Sequence, residues 1–255
     1  MKFSRYIGID YSGAQTAESR LRALQLFAAD AVDTPAKIST KVTGAKNWTR
    51  QEIAQYCRAA ISSRNPVIIG IDHGFSFPLS YMKRYGITSW DKFLDDFMRH
   101  WPTADPYTYV DFLRDDNPRT GAPTELRLCE QWTSGAKSVF QFDVQGQVAK
   151  STHAGLPWLL WLRMMPDARS LVHFWPFDGF EVPEGKSVIA EVYPSLFRRR
   201  YPKGDRIADE HDAFSVAAWI QEMDRRGTLE SYFSPPLSLP ERQTVMLEGW
   251  ILGVW

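Results

Sequence analysis

Two stretches of the chain read as continuous apolar runs that end on a carboxylate. They are Tyr6-Ile7-Gly8-Ile9-Asp10 and Val67-Ile68-Ile69-Gly70-Ile71-Asp72. Such apolar runs, with two isoleucines alternating with a glycine in the first, predict strands buried on both faces, the signature of a parallel or central strand. In each run a glycine stands two residues before the aspartate, so both share one pleat face. If the two strands are parallel neighbours, Asp10 and Asp72 end side by side. Between them the pattern changes twice. Segments 21–28 and 36–43 come after a polar turn, and the second alternates cleanly, as an outer antiparallel strand with one wet face does. Thr49 and Glu52 then form a capping box ahead of the stripe Ile53, Tyr56, Cys57, Ala60 and Ile61. That helix is the crossover into the second Asp strand. The predicted order is strand, strand, strand, helix, strand.

From 75 to 187 the pattern becomes mainly helical. Ser89 opens an amphipathic helix over 89–101 with Trp90, Phe93, Leu94, Phe97, Met98 and Trp101 near one face. Further helices are predicted over 123–132 and over 157–165, the latter with Pro157 in its first turn. No flexible linker bounds the region, so it reads as an insertion after the fourth strand of a single domain spanning 1–255. Strand signals return at 171–174 and at 188–193, where Glu191 interrupts an apolar run. A basic run comes next, with Arg198, Arg199, Arg200 and Lys203. The helix predicted over 209–224 carries the stripe Asp212, Val216, Trp219, Ile220, Met223, which puts a carboxylate on an apolar face.

Composition narrows this picture only slightly. The 255 residues are 44% hydrophobic and 24% charged, with thirty basic residues against thirty acidic ones. Any electrostatic footprint for a polyanion is therefore local. Cys57 and Cys129 show neither metal-ligand spacing nor a disulfide framework, which suits a reducing compartment. No signal-peptide pattern opens the chain, and the longest apolar stretch, 155–162, is far too short to span a bilayer. The expectation is a cytoplasmic protein with no membrane partner.

Asp10, Asp72, Glu191 and Asp212 all fall at the ends or first turns of predicted core elements. Converging carboxylates repel one another, so a cluster must share protons or hold cations. Mg²⁺ and Mn²⁺ prefer oxygen ligands, and two such ions about 4 Å apart activate water and stabilise a leaving oxygen in phosphodiester hydrolysis. The words Gly8-Ile9-Asp10, Gly70-Ile71-Asp72, Glu191-Val192-Tyr193-Pro194, His211-Asp212-Ala213 and Glu248-Gly249-Trp250-Ile251 resemble domain-of-unknown-function family 429. Ser151-Thr152-His153-Ala154-Gly155-Leu156-Pro157 extends the resemblance into the insertion. It implies an α/β, ribonuclease-H-like, mixed five-stranded sheet flanked by helices, with the first strand central beside the fourth. It also implies a metal-dependent nuclease, with Asp10, Asp72, Glu191 and Asp212 as catalytic and metal-binding residues. Members of the wider resolvase-like group often carry a second Asp one turn along the final helix, where this chain has Ser215. That departure weakens a second metal site or leaves Asp209 to compensate.

Each residue also has a plainer reading. Asp10 and Asp72 could be turn-formers before glycine, and Glu191 a solvent-facing charge on an edge strand. Asp209 suits a helix cap, and Asp212 could favour a helix dipole. His73, His153 and His211 are either proton shuttles near the cluster or structural histidines. The basic run either contacts phosphates or forms a solvated face, and the aromatic insertion either stacks bases or makes core. Three functions compete: a metal-dependent nuclease, a degenerate module of that fold binding nucleic acid or a protein, and an actin-like phosphotransferase. The last is disfavoured, because Asp72 comes too soon after Asp10 and no late Gly-rich adenosine loop is present.

Overall fold

A computed structural model describes every residue except Arg64, Ser134 and 144–147. The chain runs β1 (Arg5–Asp10), β2 (Gln25–Asp30), β3 (Ala36–Lys37), α1 (Arg50–Ser62) and β4 (Val67–Asp72). Helices α2 (Leu79–Arg84), α3 (Trp90–His100), α4 (Val110–Arg114), α5 (Leu128–Trp132), α6 (Ala149–Arg163) and α7 (Ala168–Leu171) come next. Then come β5 (Val172–Trp175), β6 (Ser187–Val192), α8 (Ala208–Arg225), α9 (Leu229–Phe233), α10 (Leu239–Glu248) and β7 (Ile251–Leu252).

These elements form an α/β structure around a seven-stranded mixed sheet, ordered β3-β2-β1-β4-β6-β5, with β7 paired to β6. As expected, β1 lies inside the sheet beside β4; the two are parallel, and β1 pairs antiparallel with β2 on its other side. The expected five strands become seven, because β5 and β7 also pair with β6. Without them a fully buried strand would leave its backbone polar groups without partners. The strand expected over 36–43 shrinks to Ala36–Lys37, since residues 39–44 are mostly polar and largely exposed.

The Thr49–Glu52 capping box and the Ser89 N-cap stand where the sequence places them. The helix expected over 157–165 starts earlier, at Ala149, so Pro157 sits inside it rather than in its first turn. Proline cannot donate to the carbonyl four residues back. Thr103 Oγ1 replaces that donor, bonding to the His153 carbonyl at 2.7 Å. The helix expected over 123–132 keeps only Leu128–Trp132, because Arg127 is extended and turned inward.

The two sheet faces are covered differently. Ile7, Ile9, Ile69, Ile71 and Ile189 belong to the core shared with α1, α3 and α6. Tyr6, Ile68, Val188, Ala190 and Val192 belong to the core shared with α8. The aromatic stripe of α3 is core, with Phe77, Phe93, Phe97, Trp101 and His153 in ring contact.

On the second face, Gly8 and Gly70 let α8 come close. A Cβ on Gly8 would strike the Ala213 carbonyl and stand 2.6 Å from Ala217 N. One on Gly70 would stand 2.6 Å from Val216 Cγ1. At the far end of α8, Asp224 accepts from Lys2 N, Phe3 N and Tyr6 Oη at 2.6–3.1 Å, fixing the helix against β1. The first turn of α8 therefore lies over the carboxyl ends of β1 and β4.

Candidate functional site

A cleft of about 420 Å³ opens at those strand ends, lined in part by Asp10, Asp72, Arg127, Glu191, Arg198 and Asp212. Crevices at the carboxyl ends of strands are the usual ligand sites of open α/β sheets. The four carboxylates proposed from sequence all border this cleft, but they are not equivalent.

Asp10 and Asp72 are register partners on adjacent parallel strands, so their side chains leave the same face side by side. Both are partly buried, and among the described residues neither receives a hydrogen bond. Burial, followed by the charge of Asp72 and then of Asp209 and Asp212, raises the Asp10 carboxyl well above the usual carboxylate range. Burial, then Asp212 and Glu191, does the same to Asp72. Arg198 opposes the shift in both. An in-register pair without donors is not what turn-forming aspartates look like.

Glu191 departs from both of its sequence readings. It is not an edge charge, because β6 lies between β4 and β5 and the residue is 3% exposed. Nor does it share a face with the aspartates. Its register partner is Ile71, so it leaves the pleat opposite to Asp72. There Arg127 Nη1 and Nη2 donate to its two oxygens at 2.7 and 2.6 Å, and Phe75 N donates at 2.9 Å. Arg127 also holds Glu130 through Nε at 2.9 Å. Glu248 accepts from the backbone N–H of Leu79 and, at 2.7 Å, of Leu128, stitching the starts of α2 and α5 to the C-terminal segment.

Asp212 lies on the first turns of α8, and both its oxygens accept from Arg198 Nη1 at 3.1 and 2.9 Å. Asp209 is not the helix cap; it sits within the first turn, while Glu210 accepts from Ile207 N at 3.2 Å. Its carboxyl is raised by burial and by Asp212. Ser215 is buried, and its hydroxyl donates to the His211 carbonyl at 2.6 Å, away from any ligand role.

The histidines are mostly structural. His153 is buried among aromatic rings, and burial pushes it down to about 3. His211 faces the Arg198 carbonyl at 3.2 Å. His73 lines the cleft, yet burial pushes it down to about 4 and Tyr11 packs on its ring. A histidine so depressed is neutral at pH 7 and cannot donate a proton as imidazolium. In the motif word of α6, Thr152 Oγ1 accepts from Gly74 N at 2.8 Å, so this segment supports the turn after β4.

Sequence reasoning missed Arg127, Glu130 and the cap made by Glu248. The spacing of Arg127 and Glu130 was visible, but a three-residue separation on a short helix has no inward direction until the fold supplies one. Among the described residues, no three His, Cys, Asp or Glu side chains stand grouped so as to hold a metal ion, and no helix is long and apolar enough to cross a membrane. Comparison of the chain with protein-family models, with curated proteins and with solved structures finds no match.

Proposed function

We propose that the chain is a ribonuclease-H-like, metal-dependent phosphodiesterase acting on nucleic acid, with Asp10 and Asp72 as the core of its metal site. The observation that carries this reading is the in-register pair Asp10–Asp72 at the mouth of the cleft, without a hydrogen-bond donor among the described residues. Two carboxylates in such a place repel each other unless a proton or a cation lies between them. Hard oxygen donors of this kind suit Mg²⁺ or Mn²⁺. Asp10 and Asp72 would hold the ion, and Asp212 would join them from α8. Glu191 does not fit as a ligand, because Arg127 occupies both of its oxygens. A bound divalent ion would supply an activated water and charge stabilisation for the leaving oxygen. The protein's own groups do the positioning: the strand ends fix the two aspartates, and Arg198 borders the cleft as a phosphate-compatible cation.

The test is thermal unfolding with Mn²⁺ or Mg²⁺ titrated in, for wild type and Asp10→Asn. At a hundredfold excess over the dissociation constant the midpoint should rise by about 5–10 °C, and the rise should vanish in the variant. Cleavage of single- and double-stranded DNA and RNA is then screened with the same ion. A second reading, a fold of this class that binds nucleic acid or a protein without cleaving it, is favoured by one observation. Glu191 and Asp212 both already have guanidinium partners. It predicts no metal response in either protein.

A further inference from the structure

Two arginines meet carboxylates at this cleft, and they are built for opposite purposes. Arg127 is 1% exposed at its side chain and uses Nε, Nη1 and Nη2 on protein acceptors. Arg198 has a side chain 43% exposed, stands on a short 3₁₀ turn (Arg198–Arg200), and reaches Asp212 with Nη1 alone. Its Nε and Nη2 have no acceptor among the described residues. A half-exposed pair made through one nitrogen is weak and readily exchanged.

We propose that Arg198 is a resident counter-cation of the acidic cleft: it holds Asp212 while the cleft is empty, yields it to an incoming divalent ion, and then binds a phosphate of the substrate. This inference rests on the metal-site reading above. Charge motivates the exchange. The cleft is lined by the acids Asp10, Asp72, Glu130, Glu191 and Asp212 and by the cations Arg127, Lys137 and Arg198. Arg127 is taken up by Glu130 and Glu191, and at the remaining aspartates a divalent ion neutralises charge better than the monovalent Arg198. Geometry motivates the transfer to phosphate, since a guanidinium released from a carboxylate retains the planar fork that fits two phosphate oxygens.

Arg198→Gln should move two responses in opposite directions, which a merely structural role would not do. By calorimetry on the full chain, Mg²⁺ binding should tighten about two- to fivefold, the range of an exposed ion pair removed from competition. Phosphate binding by the Mg²⁺-loaded protein, probed with inorganic phosphate, should fall at least as much. Without Mg²⁺ the wild type should bind phosphate poorly. In an Asp212→Asn background, Arg198→Gln should no longer tighten Mg²⁺ binding, and Arg198→Lys, which keeps the charge but not the fork, should restore only part of the phosphate response. Unchanged or weakened Mg²⁺ binding in Arg198→Gln, with the wild type responding normally, overturns the counter-cation role and leaves the metal site standing. A wild type with no response to Mg²⁺ or Mn²⁺ overturns both.

Discussion

The carboxylates on β6 and on β1–β4 lie at the same end of one sheet, yet only one of them became part of the frame. Glu191 is fully buried, matched oxygen for oxygen by Arg127 and capped by Phe75 N. Asp10 and Asp72 are partly buried, without donors among the described residues, and raised in proton affinity by burial and by nearby carboxylates, Asp72, Asp209 and Asp212 for Asp10 and Asp212 and Glu191 for Asp72. The difference comes from parity. Glu191 is in register with Ile71, one residue short of Asp72, and so faces the helical segment instead of the first turn of α8. Buried charges that are fully paired hold a structure together, and charges left unpaired at a cleft are available for a ligand.

The comparison breaks most strongly at Arg127. Arg127→Ala leaves Glu191 and Glu130 buried without their cation, and a loss of about 3–5 kcal/mol is expected, measured by chemical denaturation. Pairing it with Glu191→Gln should recover part of that loss. A loss under 1 kcal/mol would mean that the network is not structural. A smaller effect tests how α8 reaches the site. Gly8→Ala puts a methyl against the Ala213 carbonyl and should cost about 1–3 kcal/mol, with any divalent-ion response weakened because Asp212 moves with the helix. A stable Gly8→Ala protein with wild-type metal binding would show that close seating of α8 is not needed.

The smallest effect has the opposite sign. In metal-free protein Asp72→Asn removes repulsion and should raise stability, on the order of 1 kcal/mol near pH 7. A carboxyl raised in the native state holds its proton there above the pH at which the unfolded chain releases it. Its destabilising contribution is thus absent below the ordinary carboxylate range and grows as pH rises through the raised native value. The advantage of Asp72→Asn should shrink accordingly as pH falls toward about 4. His73 acts in the other direction: its stabilising contribution is full above 6.5 and is lost as pH falls toward about 4. Comparing the variant with wild type at each pH cancels that common limb. A variant less stable than wild type at pH 7 would make Asp72 a structural acceptor.

Much of the frame was readable along the chain. The two Gly-x-Asp strands, the capped crossover helix and the helix carrying Asp212 come from period, caps and burial of β-branched runs, which are local properties. The companionship of Asp10 and Asp72 needed the further assumption that their strands are parallel neighbours, which the fold supplies. Pro157 misplaced a helix start because its missing hydrogen bond is replaced by Thr103, about fifty residues away in sequence. Of the extra strands, β5 falls on the strand signal at 171–174, whereas β7 could not be counted from pattern, since it has two residues and exists only as an edge for β6.

The sequence by itself determined which residue types end each strand and helix, and hence that several carboxylates collect at one end of the sheet. It also determined, through Gly8 and Gly70, that one face stays bare enough for a helix to lie close. Only the tertiary structure decided which carboxylates face each other and which are neutralised. Strand register sets pleat parity, and a shift of one residue moves a side chain to the other face. Distant partners such as Arg127 and Arg198 acquire a direction only when the helical segment and the turn after β6 are packed in place. Charge pairing across such separations is a property of the packed fold, and no local pattern encodes it.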